Sequence, residues 1–260
     1  MTAPRRGLGV WTFVVPLALL VLFAAFLRKL DRMTDGTEAR PQAQPPATPA
    51  DPPPLLPIGP GTPATELSLL ALIDPSRDGL VGVFAWSERA LLIESGTPWS
   101  RLEIPYVPPE EYDLLIEVVR RSGANSLNIG LPSGGRRLMI VLDGTGPKPG
   151  SFSGLDGAEG KAFFENPTTR SGPLLLPDGV AVPIRCSVRR SGVRVEIAHR
   201  QVIQWEGGYV PSDIGSDWKV RSSKTLMIGS YGESFLIPRL QLTPLAGPGT
   251  PLRLPDTKGR

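Results

Sequence analysis

The sequence predicts an all-β, antiparallel domain, a sandwich or a barrel, preceded by one transmembrane helix and a Pro-rich linker. Three observations predict it. Over most of the chain, apolar residues recur at every second position in short runs, and Gly, Pro or Ser-Gly steps break those runs at short intervals. No long segment repeats its apolar residues at the 3.6-residue period of an amphipathic helix. The 30 prolines outnumber the 25 aspartates and glutamates, an excess that points to a segment outside any packed core.

Residues 1–33 read as a membrane anchor. Gly7 to Leu27 carries no charge and is mostly Val, Leu, Phe and Ala; at about 1.5 Å per residue it reaches roughly 30 Å, the thickness of the hydrocarbon core. Arg5 and Arg6 precede it, and Arg28, Lys29 and Arg32 follow, so the flanking charge that orients a span is nearly tied. The stretch is long for a signal-peptide core, and cleavage after Ala25 would put Phe23 where a small residue is required. Residues 34–64 read as the linker: ten of the 23 residues from Pro41 to Pro63 are proline. Such a chain favours polyproline II and spans up to about 70 Å. Residues 65–245 are the folded domain, and residues 246–260 a loose tail rich in Pro, Gly and charge. The sandwich is expected on the extracytoplasmic side of the membrane.

Within 65–245, "ALLIESG" and "RLEIPYV" are short apolar runs, and "EYDLLIEVV" is a longer one ending at Ser122-Gly123. "SLNIGL" sets Leu127, Ile129 and Leu131 on one face, "PSGG" turns the chain, and "RRLMIVL" sets Leu138, Ile140 and Leu142 on one face. A net charge of +3 demands no nucleic-acid partner, and a single cysteine excludes an internal disulfide framework.

The lone cysteine, Cys186, and the lone histidine, His199, lie 13 residues apart in "VPIRCSVRRSGVRVEIAHRQVIQWEG". A two-residue turn at Ser191-Gly192 would set Val188 against Val195 and Cys186 against Ile197. Cys186 then points into an apolar face as a small hydrophobe. A second tight loop at Ala198, His199 and Arg200 puts Ile203 and Trp205 on that same face and leaves His199 at a solvated tip. No activated thiol is expected, because a reactive cysteine needs an electropositive, partly exposed setting.

"EYDLLIE" places Glu111, Asp113 and Glu117 on one face of a strand. It is similar to the E-x-D-x-E signature of the laminarinase-type glucanases, but its second glutamate arrives two residues late. Six residues along a strand is about 20 Å, whereas a retaining carboxylate pair stands about 5.5 Å apart and an inverting pair at most about 9.5 Å. An exposed strand face is the expectation, and these carboxylates are the sites of the alternative, catalytic reading. The Asp-Gly steps at Asp78, Asp143, Asp156 and Asp178 read as turns. No resident cofactor or metal is expected, although loops distant in sequence leave room for a calcium ion held by convergent oxygens. Trp86 and Trp205 sit in apolar context and read as core; Trp99, Tyr209 and Trp218 lie in polar, glycine-containing stretches and are the ligand-binding candidates. The pairs Arg120-Arg121, Arg136-Arg137 and Arg189-Arg190 read as solvated strand ends.

"LLALIDPSRDGLVGVFAW", "RLEIPYVPPEEYDLLIEVVRRSG", "NPTTR", "VRRSGVRVEIAHRQVIQWEG" and the closing "TLMIGSYGESFLIPRLQL" together resemble the concanavalin A-like lectin/glucanase domains, in the bacterial form related to laminin-G and 3-keto-disaccharide hydrolase-type domains. The resemblance covers roughly residues 67–243 and implies a twisted two-sheet jelly-roll sandwich whose concave face or loop rim often binds carbohydrate. Such domains commonly turn at an Asp-Gly or Asn-Gly where this chain has His199-Arg200. The expected function is a non-catalytic binding or adhesion module for glycan or an envelope partner. The alternatives are a carbohydrate-active enzyme of glycoside hydrolase or lyase type using carboxylates near Glu111 and Asp113, and a structural envelope component.

The anchor carries a simple expectation. The full chain stays with membranes through a carbonate or high-salt wash, because burial of about twenty apolar residues is not a charge effect; a mature N-terminus near residue 26 would show a cleaved signal instead.

Overall fold

In a computed structural model the described residues are 66–206 and 218–254. The anchor expected over 1–33, the linker over 34–64 and the candidate Tyr209 lie outside them. No helix among the described residues is long and apolar enough to cross a membrane.

The described residues form seventeen strands, in chain order. They are β1 (Leu67–Ser68), β2 (Gly79–Val81), β3 (Phe84–Ser87), β4 (Ala90–Ile93), β5 (Ser100–Ile104), β6 (Tyr106–Val107), β7 (Tyr112–Ser122), β8 (Leu127–Ser133) and β9 (Arg136–Thr145). There follow β10 (Ser151–Asp156), β11 (Arg170–Gly172), β12 (Ala181–Arg189), β13 (Gly192–Ile197), β14 (Arg200–Glu206), β15 (Leu226–Ser230), β16 (Ser234–Pro244) and β17 (Thr250–Pro251). One sheet runs β14-β13-β12-β7-β16-β4-β3, with β1 on β16; the other runs β11-β10-β9-β8-β15-β5-β2. The ladders are antiparallel, as the period-two pattern predicts. Among the described residues, helical elements include a single turn over Pro75–Asp78, capped by Asp74 through Ser76, and short 3-10 turns over Leu70–Leu72 and Ala158–Gly160.

The inner faces meet in one apolar core. Leu114, Ile116 and Val118 of β7 and Ile184, Cys186 and Val188 of β12 supply one side; Leu127, Ile129 and Leu131 of β8 and Leu138, Ile140 and Leu142 of β9 supply the other. Each is essentially removed from water, and burial of an aliphatic side chain of this size contributes about 1.5–3 kcal/mol. Trp86 and Trp205 pack against this core only in part. The "PSGG" turn closes on Gly134 and Gly135, both at positive φ (55° and 78°), the backbone that a two-residue hairpin requires.

Five features depart from the sequence reading. The β12–β13 register sets Cys186 against Val195 and Val188 against Val193, so the turn falls on Arg190-Ser191, one residue earlier than expected. The cause is Gly192, which stays inside β13: at φ 151° a Cβ there would meet the Trp205 carbonyl oxygen at 1.8 Å. The two-residue shift preserves the face, and Cys186 remains fully buried. Arg120 is not a solvated strand end. It continues the inward parity of β7 and is completely buried. Arg137, read the same way, is buried on the outer face of β9. Asp143-Gly144 is not a free turn: Asp143, at φ 60°, lies within β9 where the register with β10 shifts. The segment after Leu245, expected to be loose, returns to the domain. There β17 pairs with β6, Leu252 donates its N–H to Pro105, and Arg253 pairs with Asp78.

Arg120 and Asp143 form a buried ion pair between the sheets at 3.0 Å. Arg120 also donates through Nε to the Leu176 carbonyl (2.8 Å) and through Nη1 to the Asn125 carbonyl (2.6 Å), with its guanidinium 4.8 Å from the Phe235 ring centroid. The Asp143 carboxylate accepts in addition from Ser151 Oγ (2.9 Å), Leu175 N (2.8 Å) and Leu176 N (2.9 Å).

Asp143→Ala removes the buried counter-charge of the guanidinium, leaving only the exposed Asp178 carboxylate 3.9 Å away, and is expected to cost about 3–5 kcal/mol in urea unfolding. Arg120→Met combined with Asp143→Leu should lose much less than the two single changes summed. Burial, and secondarily the Asp113 charge, pushes the Cys186 thiol up to about 12. Up to about pH 9, Cys186 should therefore react slowly with a thiol reagent in the native protein and quickly in urea. Rapid native labelling, slowed by His199→Ala, would contradict this.

Candidate functional site

The sheet containing β9 is covered on its outer face as well. Between the inward residues of "RRLMIVL", Met139 and Val141 point outward and join Met227 of β15 in a second, small apolar cluster. Phe163 and Trp218, with Val220, pack over it. The apolar run is unbroken because both faces of β9 are buried.

Above this cluster lies a cavity of about 170 Å³. Asn128 of β8 and Val141 and Gly144 of β9 line it, together with Asn125 and Ser126 from the β7–β8 loop. The aromatic residues Trp99, Phe163, Trp218 and Tyr231 complete its walls, and Asp156 is its charged residue. Trp99 and Tyr231 meet edge to face, ring centroids 5.1 Å apart, and both stay over a third exposed. Trp99 holds φ at 54°, a backbone a bulky residue seldom adopts and one that concentrates at functional positions. At Gly144 a Cβ would lie 2.7 Å from the Phe163 ring, so glycine is what lets that ring approach the sheet.

Each wall has its own polar anchor. Arg101 donates to the Trp99 carbonyl (3.2 Å) and to the Lys219 carbonyl (2.7 Å), tying the loop of Trp99 to the segment of Trp218. Arg137 reaches from β9 to the Ser222 and Thr225 carbonyls, and Glu103 accepts from Ser222 N (3.0 Å) and Thr225 Oγ1 (2.5 Å). Buried Asn166, from "NPTTR", donates to the Leu155 (2.7 Å) and Ala162 (2.8 Å) carbonyls, and Thr169 Oγ1 bonds the Phe163 carbonyl (3.0 Å). The Tyr231 turn is held by its N–H on the Ser126 carbonyl (3.1 Å).

Two polar groups of the cavity lack strong protein partners. Asn128 is fully buried; its Nδ2 donates to Ser126 Oγ (2.9 Å), and its Oδ1 accepts no hydrogen bond among the described residues. Native structures seldom leave such an acceptor unpaired. Asp156 receives the N–H of Phe163 (3.2 Å) and forms no ion pair among the described residues. Burial raises its carboxyl above the ordinary range, against the lowering effect of its backbone hydrogen bonds.

The structure thus brings together Trp99 and Trp218 of the three ligand candidates; Tyr209 lies outside the described residues. Sequence reasoning missed Asn128, Asp156, Phe163 and, as wall anchors, Arg101, Arg137 and Asn166. The doubly apolar "LMIVL" run was the available signal that something covers the outer face.

The carboxylates of "EYDLLIE" are placed differently. Asp113 is paired with Arg189 (2.8 Å) and Arg185 (3.7 Å), and Glu111 accepts the N–H of Arg190 (3.1 Å). The β7–β12 register is continuous from Tyr112 to Val119, so Asp113 and Glu117 stand about 13 Å apart on one strand, beyond the range of either carboxylate pair. Cys186 and His199 do not meet. Cys186 faces Leu114 and Val195, whereas His199 is exposed at a turn whose two central residues, Ala198 and His199, have φ of 47° and 64°. Ile203 and Trp205 face Val195 and Val193, as expected.

The sequence matches no family model and no curated protein. Among solved structures, the chain is similar to a protein of unknown function with a galectin-like fold from Bacillus subtilis, at 10% identity over 70% of this chain and 96% of that one, with a TM-score of 0.49. It is also similar to the exoplasmic/lumenal domain of VIP36 in its Ca2+/Man2-bound form, at 9% identity over 72% of this chain and 90% of that one (TM-score 0.47). A third similarity is to the carbohydrate-binding module CBM66 from Bacillus subtilis, at 8% identity over 64% of this chain and 93% of that one (TM-score 0.45).

Proposed function

We infer that this chain is a binding module and that its ligand is a carbohydrate received in the cavity between Trp99 and Trp218. The observation that carries this reading is the unpaired, buried Oδ1 of Asn128, a residue that lines the cavity together with four aromatic side chains. A sugar ring has an apolar C–H face that aromatic side chains can cover, and a hydroxyl on its edge would supply the donor that Asn128 lacks. At about 170 Å³ the cavity is smaller than the roughly 300–1,000 Å³ that encloses a drug-sized ligand. It suits one unit of a chain whose remainder stays in solvent. The anchor of 1–33 and the spacer of 34–64 complete the proposal: they present the 65–245 domain at the extracytoplasmic membrane surface, where glycan is available.

A glycan array probed with the full chain tests this reading. Binding without turnover is the expected outcome. Trp218→Ala should weaken it about tenfold or more, the effect of losing roughly 1.4 kcal/mol of aromatic contact. Retention of full affinity by both Trp218→Ala and Trp99→Ala would overturn this site.

A further inference from the structure

The cavity's chemistry narrows the ligand further, on the premise that the cavity is the binding site. Its protein groups are acceptors and rings. Asn128 Oδ1 is a buried acceptor without a donor among the described residues, and Asp156 is the one charged side chain that the described residues bring to the lining. Two neighbouring cations are engaged elsewhere: Arg101 bonds two main-chain carbonyls, and Lys161 pairs with Glu159 at 3.5 Å. Four aromatic side chains, Trp99, Phe163, Trp218 and Tyr231, share the same cavity, and aromatic faces attract cations through their quadrupoles. A carboxylate, an unpaired carbonyl oxygen and several rings around a small cavity form a receptor for a positively charged donor.

We propose that the ligand is an amino sugar whose protonated amine is received between Asp156 and the aromatic walls. The ammonium supplies the counter-charge that Asp156 lacks and a donor for Asn128 Oδ1. The raised carboxyl of Asp156, caused by burial, is consistent with the lack of a compensating cation among the described residues. An acidic sugar would bring a second negative charge against Asp156 and is disfavoured by the same geometry.

The test is calorimetric titration of the full chain, in a neutral detergent, with three oligosaccharides of one linkage: β-1,4-linked glucosamine, N-acetylglucosamine and glucose. It is run at about pH 5.5, where the sugar amine, whose neighbouring oxygens lower its basicity below that of an α-amino group, is protonated. The glucosamine oligomer is expected to bind at least about tenfold more tightly than the other two. Asp156→Asn should reduce that preference to about threefold or less. The comparison of the three sugars on the unaltered chain stands even if Asp156→Asn fails to fold. Equal binding of all three overturns the amine preference and leaves the carbohydrate reading intact. Tight binding of the N-acetyl form alone does the same. Absence of binding to any saccharide removes the carbohydrate reading, and the amine preference falls with it.

Discussion

A guanidinium and a carboxylate, both withdrawn from water, face each other across the sandwich at Arg120 and Asp143. Taking two such ions out of water costs several kcal/mol each, and their attraction repays it only where the remaining polar atoms are also satisfied. Here they are: Arg120 reaches two main-chain carbonyls, and Asp143 gathers a hydroxyl and two main-chain N–H groups. Those partners belong to separate parts of the chain, so the pair fixes more than the two sheets. It holds the Leu175–Leu176 segment, the Asn125 carbonyl of the β7–β8 loop and the local irregularity of β9. Gly144 and Asn125, both lining the cavity, are therefore set by a contact made in the interior.

The cavity depends on the same logic repeated outward. One sheet buries both of its faces, and the outer layer is made of loops that cannot pair as strands. Their main-chain carbonyls are instead taken by buried or half-buried side chains, Arg101, Arg137 and Asn166. Loops so anchored can hold a large ring at the surface without a helix beneath it. Trp99 and Tyr231 keep much of their area in water for this reason.

Period-two alternation made the sheets legible, together with the burial of Cys186 and the exposure of His199. The inner parity of β7 also contained Arg120, two positions after Val118. A charged residue at that parity meant either an early strand end or a buried partner, and sequence offers no way to see Asp143 across the sandwich. Asp143-Gly144 looked like a turn because the dipeptide has turn chemistry, whereas the strand absorbs it as a bulge. The hairpin after β12 was placed one residue late because the glycine of Ser191-Gly192 is required by the approach of β14, not by the turn. Trp99 and Trp218 stood out by their polar setting. Their meeting with Asn128 and Asp156 is a fact of topology: β5, β8, β10 and the segment before β15 become neighbours only once the sheet is assembled.

The two apolar clusters lie on opposite faces of one sheet and share no member. That separation has an evolutionary consequence. Sequence drift at Phe163 or Trp218 disturbs the packing around three buried residues, Met139, Val141 and Met227, while the large inner cluster that folds the chain is untouched. Changes confined to the outer layer therefore put the scaffold at lower risk than changes along β7 and β12, whose inward residues belong to the large inner cluster.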